Sequence, residues 1–326
     1  MVKKVSLKDI AQKIGVSTAL VSYVLSGNEE KGRVGKETAN KIRLAAKELN
    51  YQPNHIAKSL KTGKTNTIGL IVADISNPFF ASIARAVEDE SSKFGLTTIM
   101  GSSDESPEKL IKLVDVFLKR QVDGFIISPP ELSEETISYI QALGIPLCLI
   151  DRHFENLSTN YVITDNYNSM HEAVSKYPKT FDKKIALITY KSKLQHMIDR
   201  KNGFLESSVK NEKIVYEIDY SLQQEDLKYA IEEILNRGDV ELVVFTTNTL
   251  SVAGLKILTQ RAIQIPNDIN VLCFDSSEVY EFFYHPITHV KQPIEQLALN
   301  GVRILVDQIQ NSTSNQQVVL KSQIIN

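Results

Sequence analysis

The chain has 326 residues, of which 42% are hydrophobic and 23% are charged, an ordinary composition for a soluble globular protein. This length predicts two or three compact units. No apolar run reaches the ~18 residues that span a bilayer, and the N-terminal segment MVKKVSLKDIAQKIGVS lacks the apolar stretch of a signal peptide. We therefore expect a cytoplasmic protein without a membrane partner.

The net charge of −2 conceals an uneven distribution of charged residues along the chain. Residues 1–64 contain 13 Lys and Arg against 5 Asp and Glu, whereas the remainder contains 24 against 34. A basic head on an acidic body is typical of a protein whose head alone approaches a polyanion such as DNA. A solvated basic face without a partner would give the same counts, so the motifs must decide.

The sequence contains none of the motifs that commonly mark a catalytic site. It has no G-x-S-x-G elbow, no P-loop, no G-x-G-x-x-G after a strand and no H-E-x-x-H. The two cysteines, Cys148 and Cys273, lie in apolar strand-like runs, and we expect buried free thiols rather than a disulfide or a zinc site. The chain is therefore predicted to be a binding protein without cofactor or metal, and not an enzyme.

Residues 6–49 have the pattern of three short helices. A Ser-x-x-Asp capping signal begins the first helix at Ser6, and Gly15 ends that helix with a sharp turn. The second helix is predicted over Thr18–Leu25 and the third over about Lys36–Leu49, each with an apolar inner face.

The spacing of Ala11, Gly15 and Val21 predicts a helix-turn-helix. A small residue lets two helices cross closely, the glycine makes the turn, and a β-branched residue packs the second helix on the first. That geometry leaves the outer face of the second helix free to enter a DNA major groove, although a generic three-helix bundle can use the same turn. The residues expected to contact DNA from this face are Ser17, Thr18, Ala19, Ser22 and Tyr23.

The segment SLKDIAQKIGVSTALVSYVLSG, followed by RVGKETANKIRLAAKELNYQPNHIAKSL, resembles the N-terminus of the LacI/GalR family of bacterial repressors. The resemblance implies a helix-turn-helix domain over residues 1–52 that binds double-stranded DNA, as part of a homodimer on a pseudo-palindromic operator. Two departures bear on which operator is read. The loop SGNEEKGRV is longer than is usual in the family, and Tyr23 stands where an Arg is common.

The same resemblance assigns residues 53–65 to a hinge. In the family a short hinge helix folds when two copies meet in the minor groove, where a leucine, here Leu60, wedges between base steps. Two helical turns are not stable alone in water, so the helix needs such a partner surface. The alternative is a disordered linker whose Leu60 packs on the body. The further DNA contacts expected are Tyr51, Asn54, Ala57, Lys58 and Leu60.

From Thr67 onward, continuous apolar runs alternate with amphipathic stretches, which is typical of parallel sheets covered by helices on both faces. The pattern restarts at KKIALITY, and the helix after that run is predicted near Lys201–Lys210. Two such α/β halves resemble the two-lobed periplasmic-binding-protein architecture of the same family, with two doubly wound parallel sheets. We expect an effector-binding and dimerisation domain over residues 66–326, with lobe one at about 66–163 and 292–312 and lobe two at about 164–291 and 313–326.

Ligands of parallel sheets bind beyond the carboxyl ends of the strands. Four polar residues end apolar strand-like runs and are therefore expected at a cleft between the lobes: Asp74, Ser128, Asp151 and Asp275. The family resemblance implies effector contacts at six positions: Phe80, Ser128, Asp151, Arg200, Asn248 and Asp275. Carboxylates, an amide and a guanidinium that bind vicinal hydroxyls, beside an aromatic ring, suit a sugar.

Each of these residues also has a structural interpretation. An Asp at a strand end often caps the next helix or loop, Arg200 can form an interlobe salt bridge, and Asn248 can cap the following helix. A nucleobase or a partner protein is an alternative trigger, and a solute-binding protein without a DNA role is a more remote reading. The sequence thus predicts a transcriptional regulator controlled by a small molecule, with a sugar as the preferred effector.

Overall fold

A computed structural model of the chain describes residues 5–52, 63–177, 182–310 and 315–326. The contacts divide the chain into two units, with the boundary after Thr65. Within the described residues, no helix combines the length and the apolar character needed to cross a membrane.

The head consists of three helices around a small apolar core. They are α1 (Leu7–Ile14), α2 (Thr18–Leu25) and α3 (Lys36–Glu48). At the start of α1, the Ser6 side chain accepts from the backbone N–H of Asp9, and the Asp9 carboxylate accepts from the backbone N–H of Ser6, so the predicted capping signal is confirmed. Gly15 ends α1 in the left-handed conformation at φ 75°, which a residue without Cβ adopts freely. Each helix contributes one fully buried residue to the core: Ile10, Val21 and Ile42.

The second unit alternates strands and helices in two lobes. Lobe one contains β1 (Thr67–Val72), α4 (Pro78–Lys93), β2 (Thr97–Ser102), α5 (Pro107–Lys119), β3 (Gly124–Ile127), α6 (Glu134–Ala142), β4 (Leu147–Ile150), β5 (Asn160–Thr164), α12 (Ile294–Gln310) and β11 (Gln317–Leu320). Lobe two contains α7 (Asn166–Ser175), β6 (Lys184–Tyr190), α8 (Gln195–Leu205), β7 (Lys213–Ile218), α9 (Gln223–Arg237), β8 (Val240–Phe245), α10 (Asn248–Gln260), β9 (Asn270–Phe274), α11 (Glu278–Phe282), β10 (Thr288–Lys291) and β12 (Gln323–Ile325).

The two lobes are built on sheets of the same strand order. The order is β11-β5-β4-β3-β1-β2 in lobe one and β12-β10-β9-β8-β6-β7 in lobe two, and every pair is parallel except β12 with β10. Strand β4 of the first sheet is therefore equivalent to β9 of the second. The doubly wound, two-lobed fold predicted from the sequence is confirmed.

Both faces of each sheet are covered, which explains why the strands are apolar at nearly every position. On β1, Leu70 packs in one apolar cluster and Ile71 in another. The two cysteines lie in central strands of the two sheets, where Cys148 and Cys273 are free and fully buried as predicted.

The C-terminal strands correct one predicted boundary. Residues 313–326 were all expected in lobe two, but β11 pairs in parallel with β5, with Val318 opposite Val162, and so belongs to lobe one. After a two-residue link, β12 pairs antiparallel with β10 in lobe two. A short strand of alternating polarity fits either sheet by pattern, so backbone pairing and not the pattern decides where it lies.

The helix predicted near Lys201–Lys210 begins earlier, at Gln195, and ends at Leu205. Gly203 lies inside the helix, at the contact between α7 and α8. A Cβ at this position would lie 2.4 Å from the backbone oxygen of Tyr167, so the glycine permits the close crossing. That crossing places Arg200, one turn earlier on α8, inside the protein at 2% exposure.

Candidate functional site

The outer face of α2 is open to solvent, as the helix-turn-helix prediction requires. Thr18 and Ala19 are exposed, Tyr23 is 39% exposed, and Ser22 is partly exposed. Ser17 caps the helix, because its hydroxyl accepts from the backbone N–H of Leu20 at 3.2 Å. The five side chains predicted to contact DNA therefore lie at the start of α2 or along its exposed side.

The further expected DNA contacts are described in part. Tyr51 packs against the core of the head, and its backbone N–H donates to the Ala46 carbonyl at 2.8 Å. The remaining predicted contacts lie outside the described residues and stay sequence predictions: Asn54, Ala57, Lys58 and Leu60.

A cavity of about 280 Å³ lies between the two lobes of the second unit, at the carboxyl ends of the strands. Both lobes supply its walls, which are formed by Asp74, Asn77, Glu105, Glu131, Arg152, Tyr190, Lys191, Ser192, Leu194, His196, Met197, Asp219, Tyr220, Thr247 and Thr249. Among the described residues, no group of three His, Cys, Asp or Glu side chains is placed to hold a metal ion.

Hydrogen bonds from the second lobe to the first close one side of the cavity. Glu131, which follows β3, accepts from the Ser192 hydroxyl at 2.5 Å and from the backbone N–H of Lys193 at 2.8 Å. The hydroxyl of Tyr220 donates to Asp74 at 3.5 Å. The side chain of Leu194 joins an apolar cluster of lobe one. The lobes therefore meet in direct contact around the cavity.

Arg152 is the main cationic group in the cavity wall. It is 7% exposed and forms a bidentate ion pair with Glu105, in which both hydrogen bonds are 2.7 Å long. Its guanidinium lies 5.4 Å from the ring centre of Phe80. Its third nitrogen, Nε, lies 3.6 Å from the Asp151 carboxylate and has no hydrogen-bond partner among the described residues. This donor has almost no surface open to the cavity, and the Asp151 carboxylate is its ionic partner.

Two tyrosines and a histidine complete the polar lining. The rings of Tyr190 and Tyr220 are 5.4 Å apart and inclined at 52°. Burial raises the pKa of Tyr220 to about 12, so its hydroxyl remains a donor at neutral pH. Burial, with Arg152 and Arg200 nearby, holds the pKa of His196 well below its ordinary value, and the ring is neutral with an unpartnered Nδ1. These three side chains add uncharged polar groups and aromatic surface to the charged residues of the wall.

The six predicted effector residues lie behind this lining. All are buried, none is more than 4% exposed, and none belongs to the cavity wall: Phe80, Ser128, Asp151, Arg200, Asn248 and Asp275. The Phe80 ring packs against the guanidinium of Arg152. The Ser128 hydroxyl has no hydrogen-bond partner among the described residues. Their assignment to effector contact stays a prediction, since the structure places a layer of other side chains nearer to the cavity.

Arg200 and Asp275 instead organise the interior of lobe two. Arg200 donates to the Asn166 side chain and to the Thr246 carbonyl, both at 2.8 Å, and lies 3.8 Å from the ring centre of Phe274. These acceptors belong to lobe two and are uncharged, so the hydrogen bonds of Arg200 do not make the interlobe salt bridge considered from the sequence.

Asp275 receives two hydrogen bonds at the point where the chain crosses between lobes. Its carboxylate accepts from the Gln292 side chain at 2.6 Å and from the backbone N–H of Asn248 at 3.2 Å. Gln292 in turn accepts from the Thr164 hydroxyl at 2.6 Å. Asp275 thus binds the start of α10, which precedes it in the chain, whereas the capping interpretation expected the next helix, α11, whose N-cap residue is Ser277. Thr247, and not Asn248, is the N-cap residue of α10.

Asp151 and Asp275 occupy equivalent positions at the ends of β4 and β9. Both have left-handed backbone conformations, with φ of 69° and 72°, which Asp tolerates better than most residues with a Cβ. Burial raises the pKa of Asp151 to about 6, although Arg152 and Arg200 oppose the shift. In each lobe, the corresponding strand is therefore followed by a buried Asp whose backbone is in the left-handed conformation.

Several cavity residues were not predicted from the sequence. Tyr190 ends β6 and Arg152 follows β4, so the strand-end rule applied more widely would have found both. His196 depends on a helix that begins at Gln195, earlier than its pattern suggested. Tyr220 lies in a single helical turn after β7, and no pattern in the sequence marks it.

Two family models match nearly the whole chain. Residues 6–54 match the bacterial regulatory proteins of the lacI family, and residues 65–322 match the periplasmic binding proteins and sugar binding domain of the LacI family. The chain belongs to the LacI family. It is therefore a transcriptional regulator with a DNA-binding head and an effector-binding domain, and not an enzyme.

Individual relatives agree with this membership. The chain is 30% identical over 307 residues to the ribose operon repressor of Halalkalibacterium halodurans, covering 94% of this chain and 90% of that one. It is 26% identical over 320 residues to the transcriptional repressor PurR of Histophilus somni, covering 96% and 95%. The lac repressor dimer bound to operator and an anti-inducer has the same fold, with a TM-score of 0.86 at 20% identity, covering 99% and 98%.

The raised pKa of Asp151 predicts how stability depends on pH. Between its ordinary value of 3.8 and about 6, the folded chain holds the proton and the unfolded chain does not. The resulting stabilisation is present at pH 4 and is lost as the pH rises through 6. The Asp151→Asn variant does not lose this stabilisation, because an amide does not ionise, and Asn tolerates the left-handed backbone. The free energy of unfolding of the variant minus that of the wild type should therefore rise by on the order of 2 kcal/mol between pH 4 and 7.

Urea unfolding at a series of pH values measures this difference. Asp115→Asn removes an exposed carboxylate on α5 and serves as the matched control. If the free-energy difference between Asp151→Asn and the wild type stays flat or falls as the pH rises, the Asp151 carboxyl does not titrate near pH 6.

Proposed function

We propose that this chain is a repressor that binds a pseudo-palindromic operator as a homodimer and responds to a sugar-like molecule held between its lobes. The observation that carries the DNA-binding part is the exposed outer face of α2, in a head with 13 basic against 5 acidic residues. A repressor of chromosomal genes acts in the cytoplasm.

A symmetric dimer accounts for operator recognition. Two copies of α2, related by a two-fold axis, fit successive major grooves of a pseudo-palindrome. The lac repressor, which has the same fold, was solved as a dimer on its operator, which supports the same arrangement for this chain.

The interlobe cavity supplies the route from ligand to DNA. Because its walls come from both lobes, a ligand there favours one relative arrangement of the lobes over others. A change of that arrangement in a dimer alters the spacing of the two segments that lead to the heads, and so alters operator affinity. Coupling of this kind requires a ligand that binds the two arrangements with different affinity.

The lining favours an uncharged polyol. It contains four carboxylates against two basic side chains, so a phosphorylated ligand would meet an excess of like charge: Asp74, Glu105, Glu131 and Asp219 against Arg152 and Lys191. The two tyrosine rings are inclined at 52° and do not form a parallel slot for a flat base. Hydroxyl groups of a sugar can pair with the four carboxylates and with the Tyr220 hydroxyl, which line the cavity. A nucleobase, which PurR relatives bring into consideration, remains the alternative that experiment must test.

A carboxylate placed on the outer face of α2 should abolish operator binding. Ala19→Glu adds a negative charge where the helix approaches phosphates and base edges, so we expect at least a hundredfold loss of affinity, about 3 kcal/mol. Fluorescence anisotropy with an operator found by selection from random duplexes measures the loss. Leu44→Glu adds the same charge at a 61% exposed site on α3 and serves as the matched control. Equal losses for both variants would mean that α2 has no special role.

The ligand class can be tested by thermal unfolding of the full chain with uncharged sugars, phosphosugars and nucleobases. A ligand at a hundred times its Kd should stabilise the chain by about 2.7 kcal/mol, and we expect this from an uncharged sugar. Tyr220→Ala should greatly reduce the shift, because the ring lines the cavity. Tyr229→Ala, at a 68% exposed position on α9 outside the cavity, should leave it unchanged. Stabilisation by nucleobases alone, or by phosphosugars alone, would contradict the polyol assignment.

A further inference from the structure

The loop between α2 and α3, residues 26–34, lies against the DNA-facing side of α2. An ideal Cβ on Gly32 would be 2.7 Å from Cγ of Tyr23, 2.8 Å from Cδ2 and 2.9 Å from Cβ. Such distances mean that the backbone of Gly32 is in direct contact with the base of the Tyr23 ring. A residue larger than glycine would have to displace that ring.

Hydrogen bonds hold the loop in this position. The backbone N–H of Asn28 donates to the carbonyl of Tyr23 at 2.9 Å, and the backbone N–H of Gly32 donates to the carbonyl of Asn28 at 3.0 Å. The loop is also tied to α3, because Glu29 forms an ion pair with Arg43. The turn from Asn28 to Gly32 is therefore closed by a hydrogen bond and attached to both α2 and α3.

The far end of the Tyr23 side chain remains open. The residue is 39% exposed, and its hydroxyl makes no hydrogen bond within the described part of the chain. A ring fixed at its base and free at its hydroxyl is preorganised for contact, since less side-chain freedom is lost when it binds. A phenol can hydrogen-bond a base edge, and its ring can contact a thymine methyl group.

We propose that Gly32 is a positioning residue for operator recognition: its contact with the Tyr23 ring fixes where that ring meets the base pairs, so the 26–34 loop helps set operator specificity. The inference rests on the proposed DNA-binding function. It adds that the loop, which needs no DNA contact of its own, determines sequence preference through Tyr23.

Selection of operators from a library of randomised duplexes tests the proposal with the full-length protein. Gly32→Ala should weaken base preference at one symmetric pair of operator positions by about fivefold or more, while preference at the other positions and affinity for random DNA are retained. Tyr23→Ala should lose preference at the same pair. Gly35→Ala is the matched control, because a Cβ there meets nothing within 4 Å.

A double-mutant comparison separates positioning from general damage. If Gly32 acts through the ring, Gly32→Ala adds no change of preference in a Tyr23→Ala background, and Tyr23→Ala restores any thermal stability that Gly32→Ala costs. The proposal is overturned if Gly32→Ala selects the wild-type sequence, or if it has the same effect with and without the ring. Absence of any selected sequence for the wild type would instead refute the proposed function itself.

Discussion

The structure of the second unit depends on buried charge where the carboxyl ends of its two sheets meet. Asp151 and Asp275 end equivalent strands, and Arg152 and Arg200 lie close enough to lower the free energy of a buried Asp151 carboxylate. Burial of any one of these groups alone would be unfavourable, so they are stable there only together. This junction holds the strand ends that carry the walls of the cavity.

The two sheets have the same strand order, so Asp151 and Asp275 come at corresponding strand ends in this junction. Two of the three chain crossings between the lobes are fixed by side chains, since Thr164 and Gln292 form a hydrogen-bonded series with Asp275. Because these bonds fix the crossings, the outer contacts, such as Glu131 with Ser192, are the ones that can change when the lobes move. In the proposed function, a ligand therefore acts on these outer contacts, beside Tyr220 in the cavity wall.

Periodicity and capping signals predicted most of the fold, because they report local preferences that tertiary packing also satisfies. The helices of the head and the doubly wound sheets were correct, whereas β11 was assigned to the wrong lobe and α8 began earlier than expected. In both cases the deciding interaction is between residues distant in sequence: strand pairing with β5, and the close contact of Gly203 with Tyr167.

The site was predicted less completely than the fold. Strand ends pointed to the correct region, and every residue implied by the family resemblance in the second unit lies near the junction, but these residues are buried beneath the wall. Sequence indicates which strand ends come together and cannot show which side chains cover others. Tyr220 and His196 reach the cavity through the path of a turn and the start of a helix, both set by packing.

In the proposed function, the interlobe cavity and the operator-binding head are coupled. The most direct test measures operator affinity of the full-length protein with and without saturating sugar, and sugar affinity with and without operator. Linkage requires the two affinities to change by the same factor, and we predict a factor of about 5–150, lost in Tyr220→Ala. An operator affinity that is unchanged by a sugar bound in the cavity would contradict the account.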